Sequence, residues 1–290
     1  MAQEQDSLHA GRLRAVVITE SALFAGTLIG LSHMWYDGME KTSFHTFNDN
    51  AEWLQMDKVG HFFAAYNAGY YGMEVLKWAG VERKKRILYG GTLGMVFLTT
   101  VEVFDGYASD WGFSWGDMAA NAIGSGFAIG QELVFSDQPI RIKFSYHDNK
   151  IPEYRREVLG KDLLQQIFKD YNGQTYWASV NLRSITGSDM FPAWLNAAFG
   201  YGATGMPSAR SNSIKIGQKE YLFEQYRQYY FSFDIALEKI KSRSGFLNTA
   251  LKVSCVISSQ SFFFISFRSE FGSNSGSEWG LANRFQGHTS

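Results

Sequence analysis

The sequence predicts an α+β protein, in which an antiparallel, membrane-embedded four-helix bundle precedes an antiparallel β-rich region. The first half of the 290-residue chain holds four apolar stretches, each about as long as a membrane-spanning helix. From Ile140 onward, apolar and polar residues alternate with the period of a β-strand instead. This change of period predicts two structural regions in one chain.

The composition excludes several classes of protein. Lys and Arg number 27 and Asp and Glu number 28, and this balance gives no reason to expect a nucleic-acid partner. The single cysteine, Cys255, excludes an intramolecular disulfide and a cysteine-based metal cluster. A hydrophobic content of 45% with only 4 Pro also excludes collagen-like and disordered chains.

The four apolar stretches cover residues 15–36, 59–79, 87–104 and 118–135. Each contains an ionisable residue, so a buried helix of a soluble protein is the alternative for any one of them. Small residues four positions apart recur along them, and this spacing is typical of close helix packing in membranes. The pairs are Gly26 and Gly30, Gly90 and Gly94, Ala120 and Gly124, and Gly126 and Gly130.

The connections between the stretches alternate in charge. Residues 83–86 are all basic, whereas the Asp, Glu, Lys and Arg residues of 37–57 are acidic except for Lys41, and those of 105–117 are all Asp. Such alternation fits an up-and-down array, and the basic residues place both ends of the bundle on the cytoplasmic side. Chance is the alternative, because basic turns between soluble helices are common.

We expect four regions along the chain. Residues 1–14 form a polar segment, residues 15–136 the helical bundle, and residues 137–252 the β-rich domain. Alternating strands are predicted near 140–146, 176–182 and 229–237, with a helix near 161–169. A sheet packed on one face is favoured over a membrane-facing sheet. Residues 253–290 form a Ser-rich tail that we expect to be disordered or out of frame.

Polar residues gather at particular ends of the predicted helices. In an antiparallel array, the start of the second helix, the end of the third and the start of the fourth lie at one level. Residues three or four positions apart within each group share a helix face. We therefore expect eight side chains to converge at the acidic end: Asp57, Lys58, His61, Glu102, Asp105, Ser114, Asp117 and Asn121.

This cluster predicts acid–base or metal chemistry. His61, Glu102, Asp105 and Asp117 are the candidate catalytic residues, and the same four with Asp57 are the candidate ligands of a divalent cation. Oxygen-rich ligation favours Mg, Ca or Mn over Zn. The alternative is structural: Asp57 and Ser114 cap helices, Lys58 pairs with Glu102 and Asp105, and Asn121 bonds between helices.

Three motifs carry a resemblance to a known family. The chain resembles the YfiM-type predicted periplasmic lipoproteins of Gram-negative bacteria, a domain of unknown function, over about residues 12–131. More distantly, the order of these residues is similar to that of VanZ-like membrane proteins. The motifs are Asp57-Lys58-Val59-Gly60-His61, then Glu102-x-x-Asp105-Gly106, and Gly112-Phe113-Ser114-Trp115-Gly116-Asp117-Met118-Ala119-Ala120-Asn121-x-x-Gly124.

The resemblance implies a protein of the bacterial cell envelope that faces the periplasm, and it implies no reaction. We expect a non-catalytic envelope component whose partner is membrane lipid, since no nucleophile with an adjacent base is visible. The alternative is a membrane-embedded, metal-dependent enzyme that acts on a lipid or cell-wall precursor headgroup through the His/Asp/Glu cluster.

Overall fold

The computed structural model describes residues 8–36, 38–240, 243–244, 247 and 251, and the backbone of residues 265–269. The chain forms two compact units. One comprises Met1–Asn50 and Asp57–Gln138, and the other Ala51–Met56 and Pro139–Ser290. Helices make up the first unit and an antiparallel sheet the second, so the predicted α+β class is confirmed at this level.

The first unit contains five α-helices at the four predicted apolar stretches. The third stretch consists of two helices that meet at Thr92. By length and composition, Ala10–Trp35 and Arg83–Asp105 could each cross a membrane. The four-helix membrane bundle stays a prediction. The helices are α1 Ala10–Trp35, α2 Met56–Trp78, α3 Arg83–Gly91, α4 Leu93–Asp105 and α5 Trp115–Phe135.

Glycines let α2 approach its neighbours closely. A Cβ atom added at Gly94 would lie 2.3 Å from the carbonyl oxygen of Ala65, and one at Gly124 would lie 2.4 Å from that of Phe62. Such contacts require glycine, as the small-residue spacing predicts. Other predicted positions do not pack this way in the described unit, because nothing lies within 4 Å of a Cβ at Gly26, Gly30, Gly126 or Gly130.

The two acidic connections pair with each other and form the end of the helical unit that holds the polar cluster. The backbone N–H of His45 donates to the carbonyl oxygen of Gly106, and Phe47 and Phe113 are joined in the same way. Lys41 also bridges Ala108, and Thr46 bridges Phe113. This pairing fixes the first connection against the start of α5.

The second unit is built on a five-stranded antiparallel sheet with the order β1-β2-β3-β6-β7, beside a separate β4-β5 hairpin. Strands lie at the three predicted positions, and α7 lies at the predicted helix. The strands are β1 Ile140–Tyr146, β2 Gln174–Asn181, β3 Leu195–Thr204, β4 Ser213–Ile216, β5 Lys219–Leu222, β6 Tyr226–Ile235 and β7 Ile265–Ser269. The helices are α6 Arg156–Leu159, α7 Leu163–Lys169 and α8 Leu182–Thr186.

The face of this sheet that carries most of its polar side chains is buried, whereas the opposite, apolar face is only partly buried. Lys143 and Asp234 are 1% and 4% exposed and form an ion pair, and Ser179 donates to the same carboxylate at 2.6 Å. On the opposite face, Phe199 and Phe233 are 55% and 53% exposed. Burial of the polar face is tolerated because its charges and hydroxyls bond to one another.

The predictions for the two ends of the chain fall largely outside the described residues. Met1–Ser7 and most of the predicted tail, including Cys255, are not described. Within the tail, β7 pairs with β6 through residues 265–269.

Candidate functional site

The structure brings seven of the eight predicted polar residues into one hydrogen-bonded and ion-paired network. Asp57, Lys58 and His61 come from the start of α2, and Glu102 comes from the end of α4. Ser114 precedes α5, and Asp117 and Asn121 lie in its first two turns. The convergence follows from the helix ends, as the sequence predicts. The eighth residue, Asp105, lies beside the network.

Lys58 lies at the centre of three carboxylates. Its Nζ atom is 2.6 Å from Asp49 Oδ2, 3.2 Å from Asp57 Oδ2 and 3.0 Å from Asp117 Oδ1. Burial alone would lower the pKa of Lys58, but Asp57 and Asp117 raise it above its ordinary value. Lys58 is therefore a permanent cation in this cluster, and these ion pairs are with other acids than Glu102 and Asp105, which the structural alternative predicts as its partners.

His61 lies between an amide and two further carboxylates. Its Nδ1 atom is 3.0 Å from Asn121 Oδ1, and its Nε2 atom lies 3.8 Å from Asp57 Oδ1 and 3.7 Å from Glu102 Oε1. Burial would lower the pKa of His61, but Asp57, Asp117 and Glu102 raise it above its ordinary value. The protonated imidazole thus neutralises part of the carboxylate charge, and Lys58 neutralises another part.

Ser114 connects three parts of the site. As the N-cap of α5, its hydroxyl accepts a hydrogen bond from the Asp117 backbone at 3.1 Å and donates to Asp49 Oδ1 at 2.7 Å. Its own backbone N–H donates to Glu102 Oε2 at 2.9 Å. The predicted capping role is present, and it also orients two carboxylates.

Burial raises the proton affinity of the acids. It raises the pKa of Glu102 to about 8, against the opposing effect of His61, and burial together with Asp57 raises the pKa of Asp117 to about 7. Asp49 differs, because hydrogen bonds from Lys58 and other neighbours hold its pKa below the ordinary value despite burial. The cluster carries more acid than Lys58 and His61 can neutralise, so protons or a bound cation must supply the balance.

Asp105 lies close enough to be affected by the charges of His61, Asp57 and Asp49, but its hydrogen bond is to a residue outside the network. Its Oδ1 atom accepts a hydrogen bond of 2.5 Å from the hydroxyl of Tyr36. Burial raises the pKa of Asp105 to about 6, and this hydrogen bond opposes the effect. The group of possible metal ligands in closest proximity is Asp57, His61 and Asp117, and it does not include Asp105.

Two residues of the site are absent from the sequence prediction. Asp49 lies in the first acidic connection, where no helical period indicates which acid faces the site. Tyr36 follows the end of α1, which in an antiparallel array shares the level of the other helix ends. Applying the same rule to the first helix would have found Tyr36, whereas no local signal distinguishes Asp49.

Comparison with known proteins confirms the resemblance over the part of the chain that holds the cluster. Residues 45–132 match the model of a family described as "Predicted periplasmic lipoprotein (DUF2279)". No curated protein and no solved structure matches the chain. The matched range contains the whole network around Lys58 and His61, and it ends before the first strand, β1.

Proposed function

We propose that this chain is a non-catalytic component of the bacterial cell envelope, anchored in the inner membrane by α1, with its polar cluster in the periplasm. The observation that carries the proposal is the exposure of α1. It is long and apolar enough to span a membrane, and only 6% of its most apolar 18-residue segment is buried. Ile18 and Leu23 are 69% and 63% exposed, which is costly in water.

The charges around α1 support this orientation. Arg12 and Arg14 lie at its start, and the acidic first connection follows its end. Basic residues remain on the cytoplasmic side of a spanning helix. This rule directs the chain after α1 to the periplasm, in agreement with the description of the matched family.

In this proposal the role of the cluster is structural. Lys58, His61 and Ser114 join the first connection, α2, α4 and α5 through bonds that leave few polar atoms unsatisfied. Such networks favour one arrangement of the helices over its competitors. The network holds the periplasmic end of the helical unit in one conformation at the membrane surface. Lipid headgroups or partner proteins bind at this end.

A test of the anchor compares charged substitutions in two apolar helices. Arg in the centre of a spanning helix costs about 3 kcal/mol per residue. We expect Ile18→Arg with Leu23→Arg to release the full chain from membranes at alkaline pH. Val96→Arg, at a residue of α4 that is 55% exposed, should leave it bound. Equal release by Val96→Arg would favour the embedded four-helix bundle instead.

A second candidate is the membrane-associated enzyme acting on a lipid or cell-wall precursor headgroup. It is favoured by the partial exposure of Asp57 and His61, whose side chains are 23% and 15% accessible beside the buried Glu102. A headgroup could reach these two residues. In that function His61 takes part in catalysis, and substitution of His61 abolishes activity while the protein still folds.

A further inference from the structure

The ligand atoms of Asp57, His61 and Asp117 lie within 4.8 Å of one another at the part-exposed end of the cluster. We propose that these three residues, with Glu102 beside them, bind a divalent first-row transition metal ion. The inference concerns the ion alone and does not depend on anchorage by α1. Four further features of the geometry carry it.

The first feature is the orientation of His61. The oxygen of the Asn121 amide faces Nδ1, and since this oxygen can only accept, the ring proton lies on Nδ1. Metal binding displaces the second ring proton, and the lone pair of Nε2 is then directed towards the carboxylates. A hydrogen bond that fixes the far nitrogen in this way is the usual support of a metal-binding histidine.

The second feature is the spacing around Nε2. Asp57 Oδ1 and Glu102 Oε1 lie 3.8 and 3.7 Å away, which is too long for a hydrogen bond. Two ligand atoms that each lie roughly 2.1 Å from a shared ion are separated by up to about 4 Å. The separations therefore match ligands around one ion better than direct contacts.

The third feature is that each carboxylate is held by its other oxygen. Lys58 bonds Oδ2 of Asp57 and Oδ2 of Asp117, and the backbone N–H of Ser114 bonds Oε2 of Glu102. One oxygen of Asp57 and one of Glu102 face His61 Nε2. The protein thus orients the ligands before an ion binds, and this lowers the cost of binding.

The fourth feature is a pair of buried polar atoms without a hydrogen-bond partner in the described part of the chain, Asp117 Oδ1 and Asn121 Nδ2. Asp117 and Asn121 are 3% and 0% exposed. Asp117 Oδ1 lies 3.0 Å from Lys58 Nζ, but not in a hydrogen-bonding direction. A bound ion would satisfy this oxygen.

The donor set indicates which ions fit. One imidazole nitrogen with two or three carboxylate oxygens is a mixed set that suits Mn²⁺ or Zn²⁺. Ca²⁺ takes six to eight oxygen ligands, and Mg²⁺ keeps several waters, so neither makes use of the imidazole. The favoured ions therefore differ from the expectation from sequence, because Mn²⁺ is kept, Mg²⁺ and Ca²⁺ are disfavoured and Zn²⁺ is added.

The test uses the full chain in detergent, stripped with a chelator and dialysed against Mn²⁺ or Zn²⁺, with retained metal measured by elemental analysis. We expect wild type and the control Glu74→Gln, on the same helix, to retain metal. Asp57→Asn and His61→Gln should lose it. Asn121→Ala, which removes only the support of His61, should weaken binding about 10- to 100-fold.

Circular dichroism shows whether each variant folds, and Asp57→Asn is expected to fold because Asp57 is the most exposed of the ligands. Absence of retained metal in wild type overturns the proposal, as does equal retention by folded Asp57→Asn or His61→Gln. Should neither variant fold, the absorption spectrum of Co²⁺-loaded wild type decides. Bands of nitrogen–oxygen coordination support the site, and the spectrum of the hydrated ion overturns it.

Discussion

Lys58 neutralises carboxylates from three segments of the helical unit. Asp49 belongs to the first connection, Asp57 to α2 and Asp117 to α5, and the Lys58 side chain is only 14% exposed among them. Removal of one partner from a buried ion network leaves charges that water cannot reach. Lys58 therefore contributes more to the stability of the helical unit than a surface lysine does.

Lys58→Met should lower the free energy of unfolding of the helical unit by about 3 kcal/mol, because it leaves buried carboxylates unpaired. The matched control is Lys77→Met on the same helix, where the lysine is 51% exposed and its nearest Glu74 oxygen is 3.8 Å away. That change should cost less than about 1 kcal/mol. Denaturant unfolding of the two variants measures the difference, and equal losses would contradict the central place of Lys58.

At this scale, spacing and helix polarity predicted that the residues at the helix ends meet, but not that Asp49 and Tyr36 join them. Residues such as Asp57 and His61 share a face by their separation of four, and antiparallel helices then bring them to Glu102. The partners of individual atoms were not predictable. Asp105 bonds to Tyr36 rather than to the cluster, because a separation of three fixes a helix face but not the neighbour opposite it.

At the scale of elements, glycine contacts determine how closely the helices pack. Gly124 lies against the backbone of Phe62, whereas Gly126, two residues further along α5, has open space around it. The two positions have the same helix propensity and differ only in their surroundings. They form a matched pair within one helix.

Gly124→Ala should destabilise the helical unit, because its Cβ would lie 2.4 Å from the carbonyl oxygen of Phe62 and α2 would have to move. Gly126→Ala should stabilise it by up to about 1 kcal/mol, since alanine is the better helix former. Thermal melting of both variants in detergent checks the signs. A stabilising Gly124→Ala would mean that α2 and α5 are not in close contact.

In the sheet, the alternation of residues predicts the strands but not the surroundings of their two faces. Alternation predicted the strands and distinguished an apolar from a polar face. It could not predict which face is buried, because period two identifies two faces and not their surroundings. In the described sheet, Lys143, Ser179 and Asp234 satisfy one another on the buried face, and long-range pairing of this kind has no local signal.

For the whole molecule, the structure changes the meaning of the basic connection. The alternating charges predicted four spans by counting residues 83–86 as basic loop residues. Arg83 and Arg86 both contact Glu132 of α5, with Arg86 Nη2 at 3.1 Å from its Oε1. A paired arginine is weak evidence for a cytoplasmic loop. With α1 as the single span, the charge rule and the periplasmic family description agree.

The most direct test of the account is the side of the membrane on which two exposed positions lie. Single cysteines replace Lys84 in the basic connection and Ser109 in the acidic one, in a Cys255→Ser background. A membrane-impermeant maleimide is added to cells whose outer membrane alone is permeabilised. Anchorage by α1 predicts that both Lys84→Cys and Ser109→Cys are labelled. Protection of Lys84→Cys until the inner membrane is opened, with Ser109→Cys labelled, would contradict it and support the embedded four-helix bundle.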